Sequence, residues 1–174
     1  MESSTAKRRY NFLLVDDDEV FCQTFLQLLE EEGAPIQCET CSAPFIALNK
    51  AKHEDFDAVV TDIGMPGMTG IELIHKIHAY KPDLPTILIT GHPDFTSIDA
   101  VDAGASDFIR KPFAMDEFCA RFKRIMRDHQ LLLQIQDTVR RVEKVDPNQQ
   151  KAAAEQQLLI KEIEWLQGML SPER

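Results

Sequence analysis

The sequence predicts an α/β fold: a doubly wound, five-stranded parallel sheet with helices on both faces, followed by a C-terminal helical extension. Two observations predict it. Five short apolar runs alternate with amphipathic helical stretches across residues 10–127, and strict strand–helix alternation implies parallel strands joined by crossover helices. The second observation is where those runs stop. Polar residues follow four of them, at Asp16-Asp17, Asp62, Thr90 and Lys111. Ligands of open parallel sheets bind outside the carboxyl ends of the strands.

Each element has its own local signal. Asn11-Phe12-Leu13-Leu14-Val15 is a buried strand that stops at three aspartates. Val20 to Glu32 places Phe21, Phe25, Leu28 and Leu29 on one helical face, with Asp18 as its cap and Gly33 as its stop. Ile36 to Thr40 is a weaker strand, and Ser42 is read as the cap of a helix carrying Phe45, Ile46, Leu48 and Ala51. Asp57 to Asp62 is again an apolar strand that ends in an acid. Gly64-Met65-Pro66-Gly67 is a loop, and Thr69 precedes a helix with Ile71, Leu73, Ile74 and Ile77. Pro85 to Thr90 is a buried strand, Phe95 to Ala103 a short helix ended by Gly104, and Asp107 to Arg110 the fifth strand. A helix then begins at Met115.

That last helix outruns the domain. Apolar residues recur at Phe118, Phe122, Ile125, Leu132, Ile135, Val139 and Val142, with His129 filling one step. Asp146-Pro147-Asn148 breaks the pattern. A second helix carries Leu159, Ile163, Leu166 and Leu170 at coiled-coil-like spacing. The organisation is therefore a flexible N-terminus at 1–9, a domain at 10–127, and a helical extension at 128–174. The stripe cannot be buried by the domain once the helix leaves it. Such a stripe marks an interface, here a homodimeric coiled coil or a helical hairpin through residues 118–170.

Composition excludes several classes. The net charge of -10 and the lack of a basic stripe argue against nucleic-acid binding. No apolar run approaches the length of a membrane span, and the N-terminus has no secretory apolar core. Cys38-Glu39-Thr40-Cys41 is a lone C-x-x-C without a second ligand pair. It reads as reduced thiols at a strand end rather than a zinc or redox centre, which fits a cytoplasmic protein.

The strand-end residues form a chemical set. Three carboxylates brought within a few Å repel one another and call for a cation. Oxygen-only ligands at open geometry suit Mg²⁺. Asp62 then reads as a nucleophile that accepts a phosphoryl group. Asp16, Asp17 and the Gly64 carbonyl read as metal ligands with it. Lys111 supplies fixed positive charge to the phosphoryl oxygens, and the Thr90 hydroxyl can donate to one of them. Each residue alone has a blander reading as a turn, cap or loop residue. Their joint placement at successive strand ends is what favours chemistry.

The sequence resembles the bacterial response-regulator receiver family. The resemblance rests on Val15-Asp16-Asp17-Asp18, on Thr61-Asp62-Ile63-Gly64-Met65-Pro66-Gly67-Met68-Thr69-Gly70, on Ile89-Thr90-Gly91-His92, and on the segment from Gly104 to Phe113 that contains Lys111-Pro112. It implies a flavodoxin-like (βα)5 fold and phosphorylation of Asp62 by a partner histidine kinase. It implies Mg²⁺ held by Asp17, Asp62 and the Gly64 carbonyl, with Asp16 supporting through water. It also implies a cis bond before Pro112, and Thr90 with Phe108 as the switch pair. Phe108 departs from the usual Tyr, and His92 sits where the family tunes dephosphorylation. The chain is thus expected to be a phosphoacceptor signalling protein and not an enzyme in its own right. Three outputs stay open: a stand-alone receiver signalling through protein contact, the receiver fragment of a larger effector, and a relay passing its phosphoryl group to a histidine phosphotransfer protein.

Overall fold

The computed structural model describes residues 9–93, 95, 97–143 and 150–170. The expected flexible segment at 1–9 falls, but for residue 9, outside the described residues, as does the break at 146–148. Five strands alternate with helices: β1 (Tyr10–Val15), α1 (Glu19–Glu31), β2 (Ile36–Cys41), α2 (Pro44–His53), β3 (Ala58–Asp62), α3 (Gly70–His78), β4 (Thr86–Thr90), α4 (Ser97–Asp102), β5 (Asp107–Arg110) and α5 (Met115–Glu143), then α6 (Gln150–Leu170). All four strand pairings are parallel, in the order β2-β1-β3-β4-β5. This is the predicted doubly wound sheet.

The alternation of side chains along β1 explains its two faces. Leu13 and Val15 join Val59, Ala47, Leu73 and Ile77 in one core layer. Phe12 packs on the opposite side against Phe25, Phe118 and Phe122, with ring centroids 4.9–6.1 Å apart across this aromatic group. The central strands are buried on both faces, which is why they read as continuous apolar runs.

Helix starts are set chemically. The Asp18 carboxylate accepts from the backbone N–H of Val20 and of Phe21, each at 3.0 Å, as its capping role requires. Thr69 and Glu72 form a reciprocal capping box at α3. Gly33 and Gly104 take positive φ where α1 and α4 end. The α2 expectation is corrected: the N-cap is Ala43, with no side-chain cap bond, and Pro44 opens the helix. Proline fills the first-turn position with its φ already helical, so Ser42 is not needed as a cap. The α2 face that packs inward is Pro44, Ala47 and Ala51, while Phe45 and Ile46 stay exposed. The helix expected from Phe95 begins at Ser97.

Two compact units divide the chain between Lys123 and Arg124. In the second, the α5 stripe is partly open. Leu132 and Val139 are exposed, and the more sheltered positions are Leu131, Ile135, Thr138 and Val142. Leu131-Leu132-Leu133 offers three adjacent leucines, so spacing alone could not choose which faces inward. On α6, Leu159 and Leu166 are buried and Ile163 is half-buried. Among the described residues, no helix is long and apolar enough to cross a membrane.

Candidate functional site

The sheet order decides what can meet. β1 and β3 are neighbours, with Val15 in register with Thr61, and β3 pairs β4 with Asp62 beside Ile89. The residues just past these strand ends therefore open on one edge. From β5, Lys111 continues the ladder by donating its N–H to the Thr90 carbonyl at 2.7 Å. Its peptide bond to Pro112 is cis, as the resemblance implied.

Lys111 is the hub. Its ammonium donates to Asp16 Oδ2 at 2.6 Å and to Asp62 Oδ1 at 2.9 Å. Asp16 is 2 % exposed, and its second oxygen accepts from the Asp18 N–H at 2.9 Å. The second oxygen of Asp62 accepts from the Gly64 N–H at 2.7 Å. These bonds aim both carboxylates and occupy both oxygens of each. Burial pushes the Asp16 carboxyl above its ordinary value, against the opposing pull of Lys111. Burial would lower Lys111, but its hydrogen bonds to Asp16 and Asp62, with their charges, carry the ammonium above its usual range. The site thus holds its lysine firmly protonated.

The remaining expected residues are placed differently. Asp17 is exposed. Among the described residues, no group of three or more His, Cys, Asp or Glu side chains is arranged to hold a metal ion. Asp16 and Asp62 are bridged by Lys111, whose charge offsets their mutual repulsion. The donor chemistry still suits Mg²⁺, which uses one or two carboxylates and keeps several waters. Thr90 is buried, and its hydroxyl accepts from the His92 N–H at 2.9 Å. Phe108 is half-buried and meets the Phe95 ring edge-on at 5.8 Å. Arg110 reaches back to the His92 and Phe95 carbonyls at 2.9 and 2.6 Å, bracing the loop that follows Thr90.

Gly70 carries a role that reading the sequence did not isolate. A Cβ there would overlap the Asp62 backbone carbonyl, and its N–H donates to Ile63 at 3.0 Å. The start of α3 is thereby seated directly on the end of β3. Only close approach of two backbones makes that glycine necessary. The Cys38–Cys41 pair lies within β2, and the four cysteines are free thiols. Burial raises the Cys38 thiol far above its ordinary value and Cys22 to about 11, which disfavours the reactive thiolate.

Comparison with known proteins agrees with this architecture. The response regulator receiver domain family matches residues 12–123. The C4-dicarboxylate transport transcriptional regulatory protein DctD of Rhizobium meliloti is 38% identical over 123 residues, which are 70% of this chain and 26% of that protein. Transcriptional regulatory protein FixJ of the same organism is 35% identical over 105 residues, 60% of this chain and 50% of FixJ. The chain thus spans between about a quarter and a half of these relatives. A CheY-like receiver domain structure from Methanospirillum hungatei superposes with a TM-score of 0.64 at 29% identity, covering 71% of this chain and 98% of that one. The signal receiver domain of an HD domain-containing protein from Pseudomonas fluorescens gives 0.65 at 27% identity, over 75% and 96% of the two chains. The matched span contains Asp16, Asp62, Thr90 and Lys111 in order at the strand ends, and the chain belongs to the response regulator receiver domain family.

Proposed function

We propose that this chain accepts a phosphoryl group on Asp62 from a histidine kinase or phosphotransfer protein and signals through protein contact. One observation carries the reading: a single lysine, Lys111, is bonded to both Asp16 and Asp62 at the carboxyl edge of a receiver sheet. An Asp62 oxygen attacks phosphorus, the new O–P bond forms, and the bond to the donor breaks with the leaving group taking its electron pair. Lys111 can then turn its third N–H, which neither carboxylate uses, to a phosphoryl oxygen. Mg²⁺ would be held by Asp16, Asp17, Asp62 and the Gly64 carbonyl, and when bound it supplies positive charge against the phosphoryl oxygens. Thr90 exchanges its bond with the His92 N–H for one to the phosphoryl group. Phe108 then turns inward from its contact with Phe95, so the pair acts as the switch. The chain is a phosphoacceptor in the cytoplasm, with only self-catalysed transfer and slow autodephosphorylation.

Asp62→Asn tests the site. It should abolish labelling by acetyl phosphate with Mg²⁺, and labelling at full strength would sink the assignment.

For output, we propose a homodimer through residues 118–170, with the contact beyond Phe118 and Phe122, whose rings are buried in the receiver core. The exposure of Leu132, Val139, Leu158, Trp165 and Met169 supports it. Removing residues 128–174 should then give a monomer by sedimentation, and a truncated chain that still sediments as a dimer would refute that role. A second reading, the receiver portion of a larger transcriptional effector, is favoured by the 26% of DctD that the match spans.

A further inference from the structure

We infer that Phe21 is a positioning residue for phosphoryl transfer, its ring face holding the Lys111 ammonium at the acceptor carboxylates. The inference rests on the phosphoacceptor reading and adds to it a residue outside the strand-end set. Lys111 Nζ lies 3.9 Å from the centroid of the Phe21 ring. That is well inside the range of a cation–π contact, and partial burial of both groups strengthens it. The same ammonium is 2.6 Å from Asp16 and 2.9 Å from Asp62. It therefore has two charged neighbours and one aromatic one.

The ring is itself fixed. The Phe21 N–H donates, with that of Val20, to the capping Asp18 carboxylate at 3.0 Å, so the start of α1 sets the position of its backbone. Its ring packs on Phe25 at 6.0 Å and edge-on to Phe113 at 6.4 Å. Phe25 and Phe113 both lead to Phe118, whose neighbour is the fully buried Phe12 of β1. An aromatic chain thus runs from the core to the lysine head.

The consequence is specific to a lysine. Its four-carbon stem is flexible, and its ammonium is a point charge without geometric preference. When a phosphoryl group arrives, the ammonium redirects its three N–H donors among the carboxylates and the phosphoryl oxygens. The ring face neither titrates nor competes for the N–H donors, so it keeps the head in place throughout the exchange. Holding a charge where it is needed lowers the reorganisation required in the transition state.

The experiment uses the full chain and three variants: Phe21→Leu keeps apolar bulk without a π face, Phe21→Tyr keeps the face, and Lys111→Met removes the cation. Two quantities are measured. The first is the rate of labelling by acetyl phosphate with Mg²⁺. The second, taken without donor or metal, is the upfield ring-current shift of the Lys111 ε-methylene protons by NMR. Phe21→Leu should slow labelling about fivefold and erase the NMR shift, and Phe21→Tyr should restore both. In the Lys111→Met background, Phe21→Leu should have no further effect on rate, as a direct coupling demands. Should Phe21→Leu fail to fold, Phe21→Met replaces it in the same comparison. Equal rates for wild type and Phe21→Leu overturn the inference, as does equal slowing by Leu and Tyr, or slowing that persists without Lys111. Asp62→Asn separates the two levels. If wild type labels and Asp62→Asn does not, the phosphoacceptor reading stands whatever Phe21 does. If wild type does not label, that reading falls and the inference falls with it.

Discussion

The strand-end site and the C-terminal helices treat their side chains in opposite ways. At the site, Asp16, Asp62 and Lys111 each find their partners within the receiver. Asp16 and Asp62 have both oxygens occupied, and Lys111 binds them from 95 and 49 residues away in sequence. On α6, the large apolar side chains Leu158, Trp165 and Met169 are 69 %, 63 % and 55 % exposed. The site is completed within one chain. The helices bury one stripe, at Leu159 and Leu166, and leave another open. A polar site of this kind tolerates no unmatched group, because an unpaired buried charge is costly. An exposed apolar side chain carries no such penalty and can wait for a partner.

This contrast can be broken at its strongest point first. Gly70→Ala should be the most damaging single change to the receiver. Its methyl group would meet the Asp62 backbone, not a side chain that can swing aside. The expected loss is about 3 kcal/mol in a urea titration, with slower Asp62 labelling as the strand end shifts. A fully stable Gly70→Ala protein would show that the end of β3 is more compliant than its packing implies.

Trp165→Ser probes the other side of the comparison. It should leave the receiver's unfolding midpoint unchanged and weaken self-association about tenfold by sedimentation. Trp165 is the chain's single tryptophan, so its emission should also move to the red on dilution as dimers separate. Loss of stability with no change in association would mean that this face serves the fold and not a partner.

The smallest effect sharpens the comparison at a surface cap. The Thr69 backbone N–H, and then its hydroxyl, bond the Glu72 carboxylate and hold it below the ordinary glutamate value of 4.5. A depressed carboxylate stabilises the fold above its unfolded pKa, and that contribution is lost as pH falls through the native pKa. Glu72→Gln should therefore melt slightly below wild type at pH 7, and the two curves should converge as pH falls through the depressed native pKa of Glu72. A gap that stays constant with pH would assign the effect to packing and not to charge.

Much of this was legible in the residues. Strand–helix alternation, the Asp18 cap and the stops at Gly33 and Gly104 are local signals, readable within a few residues. Local signals failed where several neighbours satisfied the same pattern. Pro44 displaced Ser42 as the feature that opens α2.

The sequence by itself determined the kind of sheet and which polar residues stand at its carboxyl edge, because side-chain period and turn chemistry are properties of short segments. Only the tertiary structure decided that Lys111 bridges Asp16 and Asp62 while Asp17 stays exposed, that Gly70 must lack a side chain, and that the Phe21 ring lies against the lysine head. Those are distances between segments far apart in the chain. They are set by strand order and by how closely α1 and α3 approach the strand ends, and no periodicity in the residues encodes them.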